Sequence, residues 1–400
     1  MATKPYPMMP LAGIDNASAR DDALQVGGEY RRLYVREALN VSISETGRLS
    51  MRPGLRRATS QPLSGLWQSP VHRDVFGMLG EDWVKVDPKN WSCELLAKLG
   101  DAYPPGHIVL NNVVVVAGPA GIFRFNGKSA QPLTIETPPP PMVSSGTGAL
   151  VSGQYSVAIA WVREDGTESG MSSASELKVP DGGGLSLVLP LCMDASVVTT
   201  RVYCTSHNGG ELRRLEDLPV SRLDLDISST SGLGRAAMFA HMMPMRTGRY
   251  LGLWRGRLLT ATSNVLRFSQ ALAYHLHDPR HDFVQMPQRI TFVMPVDGGI
   301  WVGQVDHVAF LAGSTPDGLE MIRKTSRAPV PGSAIALKAE EAGEIAGGGG
   351  AACVWLADNG YVLGTPDGSV VEKHALRLQG IKGATAHSIV FGGRLTTAVS

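Results

Sequence analysis

The chain has little of what most often announces chemistry. Four cysteines in 400 residues, Cys93, Cys192, Cys204 and Cys353, form no C-x-x-C pair and no metal-ligand spacing, which argues against a zinc-ribbon or dithiol site. Each has the apolar flanks of a buried thiol, so a reducing compartment is expected, with Cys192 and Cys204 the pair that a sheet could bring together. Aromatic residues are 6% of the chain, and Trp and Asp are not paired in repeats, so a sugar-processing groove of rings and carboxylates has little to build from. Excess charge is missing as well. Lys plus Arg is 37 and Asp plus Glu is 36, so bulk charge implies no nucleic-acid or acidic-membrane partner. No apolar run reaches the roughly 18 residues of a membrane span, and "MATKPYPMMPLAGIDN" lacks the apolar stretch of a secretory signal. G-x-S-x-G, H-E-x-x-H and P-loop motifs do not occur.

What the chain does have is turns. Gly 46 and Pro 26 stand above average usage without a collagen period, as expected for many short strands. From Leu63 the runs "LSGLWQSP", "DVFGMLG", "DWVKVDP" and "CELLAKLG" each end at Pro or Gly. Turns at intervals of roughly 8–12 residues fit a sandwich, a barrel or a four-stranded propeller blade. "HIVLNNVVVVAG" and "GIFRFNGKSAQPL" follow, and the unbroken apolar run Val113–Ala117 suits a strand covered on both faces.

The segment "TIETPPPPMVSSGTGAL" interrupts this style. Pro138 to Pro141 favour polyproline II and read as a stiff linker. Beyond it, "GQYSVAIAWVREDGTESG", "GGLSLVLPL", "TTRVYCTSHNGGELRRLEDL" and "RLDLDI" alternate over roughly 90 residues, the size of one β-sandwich. From Met238 the first style resumes. "YLGLWRGRLLTATSNVLRFSQAL" reads as two strands, "RITFVMPVDGGIWVGQVDHVAFLAG" and "ACVWLADNGYVLGTPDGSVVEK" as three each, and "SIVFGGRLTTAVS" as a closing hairpin. The expectation is all-β: a β-propeller of about five to seven blades, at about 40 residues per blade, interrupted by a fibronectin-like sandwich. The propeller takes residues 1–137 and 233–400, with linker and insert at 138–232. Two stacked sandwiches are the alternative.

"LYVREALNVSISETGRLSMRPGLRRA" reads as a hairpin. Leu39, Val41 and Ile43 alternate, Gly47 turns, Leu49 and Met51 return, and Pro53 and Gly54 stop the pair. Propellers close well when strands from both ends of the chain share a blade, so "SIVFGGRLTTAVS" is its expected partner.

The sharpest polar cluster is "YHLHDPRHDF", with His275, His277, His281, Asp278 and Asp282. A transition metal could use such groups, but Pro279 after Asp278 makes this a turn that bonds to itself, and no metal or cofactor is expected. "GGGG" at 347–350 lacks the Lys-Ser/Thr and helix of a phosphate loop, and Glu340/Glu341 read as a solvated face. Arginines cluster twice: Arg52, Arg56 and Arg57, then Arg246, Arg249, Arg255 and Arg257 around Tyr250 and Trp254. Guanidinium packing over those rings is the plain reading. A basic lining that carries nucleic acid without reading its sequence is the functional one.

Several of these pieces resemble tailed-bacteriophage virion proteins. "PYPMMPLAGIDN" and "REALNVSISETGRLSMRPGLRRA" carry the first match through Gly13, Ile14, Asn16, Ala38, Asn40, Gly47, Arg52, Pro53 and Gly54. "WRGRLLTATSNVLRFSQAL" and the stretch from Asp278 carry the second, through Trp254 to Leu258, Asn264, Phe268, Ser269, Asp278, Pro279, Arg289, Ile290 and Pro295 to Gly299. "VAIAWVREDGTESGMSS" is similar to fibronectin-like modules of virion proteins. The nozzle, or tail-hub, family of short-tailed phages has the nearest role. That resemblance implies a non-enzymatic homo-oligomer, a hexameric ring in the virion tail, assembled in the host cytoplasm. It would continue the DNA-ejection channel below the head-to-tail adaptor, dock fibres or spikes, and touch DNA transiently. A carbohydrate- or receptor-binding propeller of the tail tip is the alternative.

Overall fold

Residues 9–27, 31–52, 54, 56–325, 327–342, 350–391 and 393–400 are described by a computed structural model. The Pro53 stop, the first eight residues, Gly392 and residues 347–349 of the glycine tract lie outside them. The chain is almost entirely β, 49% strand and 2% helix. It divides into two units, residues 1–62 with 286–400, and residues 63–285. Among the described residues, no helix is long and apolar enough to cross a membrane.

The repeating element is a four-stranded antiparallel meander, the blade unit of β-propellers. In the 63–285 unit these sheets run Leu63–Gln68, Val75–Leu79, Asp82–Val86, Cys93–Lys98, then His107–Leu110, Val113–Gly118, Gly121–Phe125, Ala130–Pro132. A third comprises Arg249–Trp254, Arg257–Thr262, Val265–Phe268 and Phe283–Gln285. The other unit has Ile290–Val296, Gly299–Gln304, Val308–Ala312, Glu320–Thr325, and Ile335–Leu337, Ala352–Ala357, Gly360–Gly364, Val370–Val371.

The apolar run at 113–118 shows how the blades stack. Val114 and Val116 join Phe76, Met78, Trp83, Leu99 and Phe125 on one side. Val115 and Ala117 face Met245, Leu251 and Leu258 on the other. Two-sided burial is why the strand reads as apolar at every position. In the 286–400 part, Trp301 and Trp355 pack with ring centroids 5.5 Å apart between the two sheets, and Trp301 Nε1 donates to Thr365 O at 3.0 Å. Gly299 is obligatory there, because a Cβ would lie 2.0 Å from Leu311 O.

The sandwich pairs Met142–Leu150, Gly183–Val188 and Asp224–Ile227 against Ser175–Val179, Gly153–Arg163, Val197–Cys204 and Arg213–Pro219. Tyr155, Val157 and Ile159 point into its core with Leu185, Leu187, Val202 and Ile227, all under 4% exposed. Each such side chain contributes about 1.5–3 kcal/mol by burial. Ala158 and Ala160 face outward beneath Met171, Leu212 and Ala240, so this strand too is covered twice.

Three expectations need correction. Residues 142–150, read as linker, form a nine-residue strand of the sandwich. Their Ser/Gly-rich sequence conceals it, because cross-strand bonds to 183–188 hold most of the strand and only Val143 and Leu150 reach the apolar core. The connection before it is also pinned. Arg163, 4% exposed, donates to Pro132 O at 3.0 Å, Thr134 O at 3.0 Å and Ser196 Oγ at 2.8 Å. The stretch 249–268 has three strands, not two, because Arg255 and Gly256 take positive φ (46° and 71°) and turn a hairpin inside "WRGR". Finally, the 41–51 and 386–399 hairpins form as read but do not pair with each other. The N-terminal segment instead meets 374–379 outside any sheet: the backbone N–H groups of Asn16 and Ala17 donate to Arg377 O, and the Arg377 side chain pairs with buried Asp15 at 3.0 Å.

Candidate nucleic-acid interface

The seven arginines singled out above fall into both units. Arg52 and Arg56 are exposed beyond the 41–51 hairpin. Arg57 folds back on its own chain, Nε to Thr59 O at 2.9 Å and Nη2 to Ser60 O at 3.0 Å.

The other four are on or beside the 249–285 sheet, and two of them are already spent. Arg249 is paired with Asp101, and its guanidinium lies 4.0 Å from the Tyr103 ring. Arg257, half-buried, donates to Ser269 O at 2.7 Å and stands 3.6 Å from Asp282. Trp254, the ring expected under a guanidinium, is 3% exposed and packs on Phe268 at 5.8 Å. Arg255 belongs to the turn described above.

Arg246 is exposed and makes no ion pair among the described residues. It has a neighbour that sequence reading missed. Arg267 is paired across the sheet with Thr260, whose Oγ1 donates to Arg246 O at 2.9 Å. The two guanidinium-bearing residues therefore flank one buried threonine. Arg267 likewise makes no ion pair among the described residues. Burial, and then the like charge of Arg246, pull its pKa down. Burial also lowers the pKa of His277, with the two arginines adding to it and Asp282 opposing. Its Nε2 is enclosed without a hydrogen-bond partner among the described residues. Two arginines that make no ion pair among the described residues can both donate to an oxyanion such as phosphate. The signal for Arg267 was present in "VLRF": Leu266 and Phe268 are buried, and Arg267 alternates away from them.

In the histidine–aspartate cluster only the aspartates are spent on their own turn. His275 reaches out of it, its Nε2 bonding Glu168 O at 2.8 Å. Asp278 takes Arg280 Nε at 2.9 Å and Nη2 at 2.7 Å, and Arg280 holds its carboxyl well below the usual carboxylate range. Asp282 Oδ2 caps the Asp278 N–H at 2.7 Å. Among the described residues, no group of three or more His, Cys, Asp or Glu gathers at metal-binding distance. Glu341 accepts the Lys338 N–H at 3.0 Å in a four-residue helix. Cys204 and Cys353 are buried, and Cys93 and Cys192 are half-buried.

No family model matches the chain, and no curated protein does. Solved structures similar to it include the extracellular domain of a one-component system from B. thetaiotaomicron, at 8% identity and a TM-score of 0.24. That match covers 85% of this chain and 57% of the other, so the chain spans little more than half of that domain. Dihydro-heme d1 dehydrogenase in complex with its ligand matches at 13% identity, 83% and 69% coverage and TM-score 0.27. Puromycin hydrolase matches at 11%, 84% and 61%, with 0.19. Scores this low carry nothing of those proteins' activities to this chain.

Proposed function

We propose that the chain is a structural component of a tailed-phage virion, a nozzle-type ring subunit that continues the ejection channel below the adaptor and docks fibres or spikes. The observation that carries this reading is where the residues shared with that family sit. Gly47, at φ 82°, lies under Pro10 and Leu11, with 2.5 Å left for a Cβ. Asn16 exchanges side-chain and backbone hydrogen bonds with Gln379. Ser269, fully buried, accepts the Leu258 N–H at 2.8 Å. Gly298 packs against Pro366 O with 2.4 Å for a Cβ. These contacts fix turns and connections in place, which suits a subunit whose task is to keep its shape. The partners are further copies of the chain, the adaptor ring and fibres, with DNA passing transiently over positions such as Arg246 and Arg267.

Light scattering on the purified chain, with and without the adaptor ring, tests the reading, together with antibody labelling of whole virions. A closed ring that forms with the adaptor and a label on the tail are expected. A chain that stays monomeric in both conditions, with unlabelled virions, sinks it. Weak duplex binding should lose roughly 0.9 units of salt slope for each of Arg246→Ala and Arg267→Ala; an unchanged slope removes these residues from the channel.

A further inference from the structure

The 286–400 part contains a small pocket that a ring subunit does not need. Between Gly299–Gln304 and Val308–Ala312 the chain turns at Asp306 and His307, closed by the Gln304 N–H to His307 O at 2.8 Å. His307 is 4% exposed, and both of its ring nitrogens are committed. Nδ1 faces Asp306 Oδ1 at 2.6 Å, and Nε2 faces the Gln304 side-chain nitrogen at 2.8 Å. Gln304 Oε1 is occupied by the Gln288 N–H at 2.8 Å, so the Gln304 amide donates to His307. The ring proton is thereby assigned to Nδ1 and given to Asp306. The carboxylate is oriented from behind while about half of its side chain, 47%, stays exposed.

Across the sheet, Ala309 is paired with Arg323, and Leu311 with Met321. Ala309, Met321 and Arg323 line a cavity of about 210 Å³ together with His307, Pro287 and Asp306; Ala309 and His307 are its buried floor, while Pro287, Met321, Asp306 and Arg323 are exposed around it. Arg323 is exposed and has no ion-pair partner among the described residues. An oriented acceptor and an unpaired donor fork therefore share one cavity without bonding each other.

We propose that this pocket binds a single sugar residue. Asp306 accepts from one hydroxyl, the two N–H groups on the Arg323 fork donate to neighbouring oxygens, and the ring C–H face rests on Pro287 and Met321. Planar groups that bond two positions at once match vicinal hydroxyls, and the apolar walls match the C–H face. A simple anion would meet the Asp306 charge, and a simple amine that of Arg323. A neutral polyol satisfies both groups without that conflict. The inference does not rest on the ring reading, because binding is measured on the isolated chain.

Saturation-transfer NMR on the full chain, with millimolar glucose, galactose, rhamnose and N-acetylglucosamine, and with glycine and alanine as zwitterionic probes, tests it. At least one sugar should give transfer. Arg323→Ala and Asp306→Asn should each weaken it at least tenfold, and Ala309→Leu should abolish it by filling the floor. Arg323 is exposed, so its variant reports even if Ala309→Leu fails to fold. The proposal is overturned if no sugar gives transfer, if only the amino acids do, or if sugar binding survives Arg323→Ala.

Discussion

The sandwich and the N-terminal segment 9–51 are both made of short strands, yet different forces hold them. In the sandwich, two sheets close over a continuous apolar core in which Val157, Ile159, Leu185 and Val202 are completely buried. The segment 9–51 forms a three-stranded and a two-stranded sheet and leaves Leu39 and Met51 73% and 81% exposed. It is fastened by polar contacts: buried Asp15 to Ser18 and Arg377, Asn16 to Gln379, and the Arg377 guanidinium 3.9 Å from the Tyr34 ring. Burial contributes in proportion to area and fails globally. A polar clasp contributes about 1 kcal/mol per bond and fails locally.

The largest expected effect tests the apolar side. Leu185→Ala should cost roughly 2–5 kcal/mol, read as a fall in the thermal midpoint, while Leu39→Ala stays within about 0.5 kcal/mol. Equal costs would break the comparison.

Next comes a titratable group inside an apolar cluster. The His107 residue is half-buried, but its ring stacks on Trp67 at 5.0 Å and lies near Phe76 and Trp83. Its Nε2 accepts the Trp83 Nε1–H at 3.0 Å. Burial pushes its pKa down from 6.5 to about 3. The folded pKa lies below the unfolded one, so the unfolded chain takes up the proton first. Stability is full above pH 6.5 and declines as pH falls toward 3, by at most about 1.4 kcal/mol per pH unit. Denaturant melts followed by tryptophan fluorescence at pH 7 and pH 5 should show this decline, and His107→Gln should flatten it. A decline unchanged in that variant assigns the proton elsewhere.

The smallest effect belongs to the clasp. Asp15→Ala removes the acceptor of Ser18 and Arg377 at a cost of about 1–2 kcal/mol, reduced because Arg377 is one-third exposed. Hydrogen exchange should quicken in residues 11–35 and leave the sandwich amides unchanged. Quickening in both would mean that the clasp is part of one cooperative fold.

Strands whose apolar pattern is dictated by burial were legible. "DVFGMLG" and "DWVKVDP" occupy the strands read for them, because turn glycines and alternation are local signals. Strands held by backbone pairing were not, as 142–150 and Glu320–Thr325 show, since most side chains of the first, and Glu320, Met321 and Arg323 of the second, are solvated. The arginine site was half legible. Arg246 stands out in a basic run, but only the hairpin at Arg255–Gly256 and the Thr260 pairing bring Arg267 beside it.

The sequence alone determined the all-β class, the turn positions and the break in style before the sandwich, because φ preferences and alternation act within a few residues. Tertiary structure decided which charges are spent and which edges are met. Arg249 and Arg257 are neutralised by Asp101 and Asp282, while Arg246, Arg267 and Arg323 make no such pair among the described residues. The ends of the chain meet through Asp15 and Arg377 rather than through a shared sheet. Pairings across more than ten, and in one case more than three hundred, residues depend on where the backbone returns, and no local preference encodes that.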